Sequence, residues 1–150
     1  MTIVEAICEA ASASAARPGF QRDTLTLTWD ERRRGHGRRR SDGGVEFAIS
    51  LPNGSLLKEN DCLVLEAEKT IVVVRESLEP VYIIRPEKPQ DWAYYAYHVG
   101  NRHQAAMIGD SELIFLRSPA VKSLLDFLRV PYIETERPFT GALANPGHLF

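Results

Sequence analysis

Leucine alternates with threonine from Thr24 to Thr28, and Trp29 continues the pattern. A period of two places every second side chain on one face of an extended chain, so TLTLTW predicts a half-buried strand rather than a helix. The same period returns in VEFAISL, with Val45, Phe47 and Ile49 on one face. Pro52-Asn53-Gly54 is a turn signal, and Lys58 to Asp61 is a polar break. CLVLEAE and TIVVVRE then predict two more strands about a turn at Glu68-Lys69. Short strands at this spacing predict a small sheet sandwich or barrel.

The pattern changes near Glu76. EPVYIIRP predicts a strand ended by Pro86, and Lys88 to Val99 predicts a helix with Pro89 in its first turn, where a missing N–H does little harm. Trp92, Tyr95, Ala96 and Val99 fall on one helical stripe, and Gly100 follows at the position where helices usually stop. QAAMIG and ELIFLR predict short strands on either side of Gly109-Asp110-Ser111. PAVKSLLDFLR predicts a second helix with Ser118 as N-cap and Pro119 at N1, and PYIETE a last strand. The order β-α-β-β-α-β is that of a ferredoxin-like unit, so the expected class is α+β: a small all-β domain, then a ferredoxin-like one.

Composition narrows the function. A net charge of -2 argues against a globally nucleic-acid-binding or membrane-surface protein. Cys8 and Cys62 lie far apart with no CxxC, as expected of reduced thiols in a cytoplasmic protein. No apolar run approaches the ~20 residues of a membrane span. Glu5 and Glu9 interrupt the N-terminal apolar stretch, which also lacks a basic leader, so no signal peptide is expected. GxSxG, HExxH and P-loop motifs are missing from the sequence, and no enzyme is expected.

Six arginines, at 32, 33, 34, 38, 39 and 40, surround Gly35-His36-Gly37. Guanidinium forks suit phosphate and carboxylate alike, so the cluster fits a nucleic-acid-binding or adaptor surface, an acidic protein partner fitting better than nucleic acid. The plainer reading is a solvated hairpin offset by Asp30, Glu31, Asp42 and Glu46, with His36 as a surface histidine.

YHVGNRHQ places two of the four histidines five residues apart. His98 falls inside the helix and reads as a histidine at the edge of its packed face. His103 follows Gly100, where a tight turn hands over to a strand. One imidazole is a poor site for a first-row metal, which wants four to six donors. Two copies meeting about a two-fold axis close that deficit. Two His103 and two tail His148 give four imidazoles, a set that suits Ni²⁺, Cu²⁺ and Zn²⁺. A site shared between subunits, with ligands on a flexible tail, suits stepwise transfer of an ion better than catalysis.

At Tyr97-His98-Val99-Gly100-Asn101-Arg102-His103 the chain resembles the UreE family of urease accessory proteins, nickel metallochaperones. The arginine-rich stretch after LTLTWDER, Asp42-Gly43-Gly44, LPNGSLLKENDCL, VVVRESLEPVYII, Pro138-Phe139 and Gly147-His148 are similar to the family in the same order. The resemblance implies a peptide-binding-like β domain over 1–76, suited to partner docking. It further implies a ferredoxin-like metal-binding and dimerisation domain over 77–137 and a C-terminal tail over 138–150. It implies a homodimer with His103 from each protomer on nickel and His148 as a further ligand. It also implies transfer through a UreG-type GTPase to the urease apoprotein. Zn²⁺ or Cu²⁺ would compete for the same donors in vitro.

Overall fold

The computed structural model describes residues 1–142. Two compact units divide it, Met1–Ser77 and Leu78–Phe150.

The first unit contains β1 (Ile3–Val4), β2 (Cys8–Glu9), α1 (Ala10–Ala16), β3 (Gln21–Leu27), α2 (Trp29–Arg32), β4 (His36–Arg40), β5 (Glu46–Ser50), β6 (Asp61–Leu65) and β7 (Thr70–Glu76). They form two sheets, β1-β5-β4 and β2-β6-β7-β3. Leu25 and Leu27, Phe47 and Ile49, Leu63 and Leu65, Val72 and Val74 all enter one buried cluster, so alternate residues of four strands build a sandwich core. The other face of the larger sheet turns Ile71, Val73 and Cys62 toward Ala13 of α1. Burial on both faces explains the unbroken apolar run of β7.

Alternation fails at Trp29. The strand stops at Leu27, and Thr28 caps a short helix: its hydroxyl accepts the Glu31 N–H at 3.3 Å, and the Glu31 carboxylate accepts the Thr28 N–H at 3.0 Å. This reciprocal box satisfies two donors at the helix start. Trp29 is buried all the same, at the first position of α2 rather than on the strand.

The turn between β4 and β5 ties the two sheets together. The Asp42 carboxylate accepts the hydroxyls of Thr24 at 2.6 Å and Thr26 at 2.8 Å on β3. A Cβ on Gly43 would lie 2.6 Å from the Asp23 carboxylate, so any larger residue there displaces that side chain.

The second unit runs β8 (Glu79–Ile84), α3 (Pro89–Asn101), β9 (Met107–Ile108), β10 (Leu113–Leu116), α4 (Pro119–Leu128) and β11 (Ile133–Arg137). Its antiparallel sheet has the order β11-β8-β10-β9, the ferredoxin-like arrangement. Tyr82, Ile84, Leu113 and Phe115 pack against Val99 of α3 and Val121, Leu124 and Leu125 of α4. Ser118 caps α4 as its position implies, accepting the Val121 N–H at 3.1 Å. Trp92 and Tyr95 pack on the core with Val99, whereas Ala96 is exposed. Of QAAMIG, Met107 and Ile108 alone pair as strand. Among the described residues no helix is long and apolar enough to cross a membrane.

Gly100 is not where α3 stops. The helix continues through Gly100 and Asn101 to a C-cap at Arg102.

Candidate metal centre

The end of α3 sets the position of His103. The His103 N–H donates to the Gly100 carbonyl at 2.9 Å, and the Gln104 N–H to the Val99 carbonyl at 3.3 Å. These crossed bonds form a Schellman motif, in which the residue after the C-cap takes left-handed backbone angles. That residue is His103, with φ +57°. Histidine enters this region more readily than most residues, yet an L side chain there still carries strain of order 1 kcal/mol. His103 is exposed. It stands at the helix C-terminus, where outward carbonyls give a partial negative charge that favours a cation.

His98, the other described histidine of the second unit, makes its contacts elsewhere. It lies five residues before His103, within α3. Its ring packs edge-on against Tyr94, with centroids 4.5 Å apart, and against Tyr97 at 5.4 Å. His36 belongs to β4 in the first unit, its Nδ1 3.4 Å from the Ser50 hydroxyl. His148 lies outside the described residues. Among the described residues no group of three or more His, Cys, Asp or Glu could hold a metal ion. An exposed imidazole is the kind of donor Ni²⁺, Cu²⁺ and Zn²⁺ accept, but one is too few.

The aromatic side of α3 is a feature that sequence reasoning overlooked. Tyr94 is 51% exposed and Tyr97 66%, on the face opposite Trp92, Tyr95 and Val99. Their i, i+3 spacing carried the signal, hidden by the neighbouring core stripe.

The arginine cluster does not form one surface. Arg32 is buried, donates to the Leu57 carbonyl at 3.3 Å and lies 3.7 Å from the Glu76 carboxylate. Arg33 and Arg34 share Asp30, and Arg33 also lies 4.1 Å over the Trp29 ring. Arg39 donates to the carbonyls of Arg34 and Arg38, both at 2.8 Å. Arg38 and Arg40 are exposed on the outer strand β4.

Residues 4–75 match the N-terminal domain of the UreE urease accessory protein, and residues 79–148 match its C-terminal domain. A sheet domain followed by an α+β domain with these two matches defines the class: a two-domain urease accessory protein. A urease accessory protein UreE from Chelativorans sp. (strain BNC1) is 33% identical over 131 residues, covering 85% of this chain and 82% of that protein. Another, from Lysinibacillus sphaericus (strain C3-41), is 32% identical over 124 residues, covering 83% of each. The chain belongs to the UreE family.

Proposed function

We propose that this chain is a nickel metallochaperone for urease maturation, holding Ni²⁺ between two copies through His103. Membership of a urease accessory family implies a role in urease maturation and nickel delivery. The observation that carries the finer reading is the placement of His103: an exposed imidazole fixed in left-handed conformation at the negative end of α3. The donor count requires more than one chain, and an isologous dimer doubles every ligand. The exposed pair Tyr94 and Tyr97 on the same helix offers an aromatic face for such a contact.

In this reading the domain over 1–76 docks partners, the domain over 77–137 dimerises and holds the ion, and the tail over 138–150 brings His148 to it. The protein is not an enzyme and works in the cytoplasm, handing nickel to a UreG-type GTPase on the way to the urease apoprotein. Imidazole donors leave Zn²⁺ and Cu²⁺ as competitors, so selectivity depends on partners and availability.

Calorimetric titration with nickel tests the proposal. It expects one ion per two chains, lost in His103→Ala and weakened less in His148→Ala, because a tail must surrender conformational freedom to coordinate. One ion per chain, or unchanged affinity in His103→Ala, overturns it.

A further inference from the structure

We propose that Cys8 and Cys62 form a thiol pair that a low-molecular-weight disulfide oxidises to a cross-strand bond, stapling the N-terminal arm of the first unit to its larger sheet. The inference concerns a modification site and does not rest on the metal reading.

The fold brings together two cysteines that the sequence keeps far apart. β2 pairs antiparallel with β6, and Cys8 stands opposite Cys62 in the register. Opposed Cα atoms of such a pair are about 4.5 or 5.5 Å apart, inside the range of about 4.4 to 6.8 Å that a disulfide spans. Opposed side chains also share one face of the sheet, with Cβ atoms about 4.5 to 5.5 Å apart. Both thiols accordingly pack on one cluster, with Ala13 of α1, Ile71 and Val73. A disulfide wants its Cβ atoms at about 3.5 to 4.5 Å, so closure draws the strands together by about 1 Å. β2 can make that move, because it is two residues long and lies at the outer edge of its sheet.

The reduced arm is weakly held. Among the described residues the only other pair of the β2–β6 ladder is Glu9 opposite Asp61, and like charges at opposed positions are destabilising. α1 follows directly, seven residues of alanine and serine with no side-chain hydrogen bond at its N-cap Glu9. So short a helix does not stand by itself and depends on docking Ala13 against the sheet. Among its polar ties, those of Arg17 to Glu66 and of Arg22 to Ser14 are exposed and individually weak. A covalent link at Cys8, just ahead of α1, supplies the anchor that this ladder lacks.

Exposure assigns the order of attack. Cys8 is half-buried, whereas Cys62 is buried, and burial pushes the Cys62 thiol up. The Cys8 thiolate therefore attacks a sulfur of the incoming disulfide, whose S–S bond breaks. A mixed disulfide forms on Cys8, and the first small thiolate leaves and takes up a proton. Cys62, once deprotonated, attacks the Cys8 sulfur beside it. The mixed bond breaks, the Cys8–Cys62 bond forms, and the second small thiolate leaves and is protonated in turn. Two protein thiols are oxidised, and one small disulfide is reduced to two thiols that carry the two protons. In a reducing compartment the pair stays open, and an oxidising shift closes it.

Oxidised glutathione, added to the full, metal-free chain, tests this. The proposal expects free thiols to fall from two per chain to none, with no glutathione retained and a Cys8–Cys62 cross-linked peptide in a non-reducing digest. The thermal midpoint should rise by about 10 °C over the reduced protein and return with dithiothreitol. Cys62→Ala should keep one glutathione on Cys8, while Cys8→Ala stays unmodified when folded, because its remaining thiol is buried. A glutathione adduct that persists on Cys8 of the unaltered protein, a disulfide between two chains, or thiols that stay free overturns the proposal. So does an oxidised protein that melts no higher than the reduced one.

Discussion

His103 donates its backbone N–H to the Gly100 carbonyl at 2.9 Å, and does so in the left-handed conformation usually given to glycine. The α4 helix ends the same way, with Arg129 at φ +55° and the Val130 N–H on the Leu125 carbonyl at 3.3 Å. There the following residue, Val130, is buried in the core. At the end of α3 the left-handed residue is His103 itself, the exposed imidazole on which the proposed site rests.

Replacing His103 therefore separates stability from function. His103→Gly relieves the left-handed strain and makes the fold more stable than His103→Ala by roughly 1 kcal/mol. Both variants lose nickel. Urea unfolding beside equilibrium dialysis checks this; a glycine variant less stable than the alanine one contradicts the cap geometry.

Protons compete with the metal for an imidazole nitrogen. Nickel affinity should fall as pH drops through roughly 6, the range in which free imidazoles protonate. Titration calorimetry from pH 5 to 8 checks it, and flat affinity would indicate carboxylate or backbone donors instead.

Glu112 gives a pH effect that is independent of metal. Its carboxylate accepts from Arg85 and from Arg137, each at 2.8 Å, and the two guanidiniums hold its pKa below the ordinary value of 4.5. A lowered folded-state pKa means the contribution is full above that ordinary value and is lost as pH falls through the depressed one. Glu112→Gln should lower thermal stability at pH 7 and converge with the unaltered protein in strong acid. A stability gap that persists there would assign the loss to packing.

Arginines of the cluster differ in role. Arg32→Ala should cost roughly 2 to 3 kcal/mol, toward the low end for a buried pair because Glu76 keeps contact with water. Arg38→Gln should stay within about 0.5 kcal/mol, as surface changes do. Denaturant midpoints of the two variants give the comparison.

Much of this architecture is legible from side-chain period. Leu25, Leu27, Phe47 and Ile49 alternate into one core, and Ser118-Pro119 marks the start of α4. What escaped was set by competition or distance. At Thr28 to Glu31 a capping box outcompetes the alternation that would have kept Trp29 on a strand. Gly100 carries a stop signal, but the end of a helix is decided by the residue that takes left-handed angles, and that is His103, three positions further on. Arg32 looks like its neighbours in sequence; its burial depends on Glu76, far along the chain. Strands of two residues, such as β1, β2 and β9, have no period to detect. For the candidate site, the sequence singles out His103 as a donor, while its cap geometry depends on carbonyls one helical turn behind it.

The most direct test of the shared-ion account is anomalous diffraction at the nickel absorption edge from nickel-loaded crystals. The account predicts one nickel peak on a two-fold axis, about 2 Å from a His103 nitrogen of each of two chains. A peak ligated wholly within one chain, or one remote from His103, contradicts it.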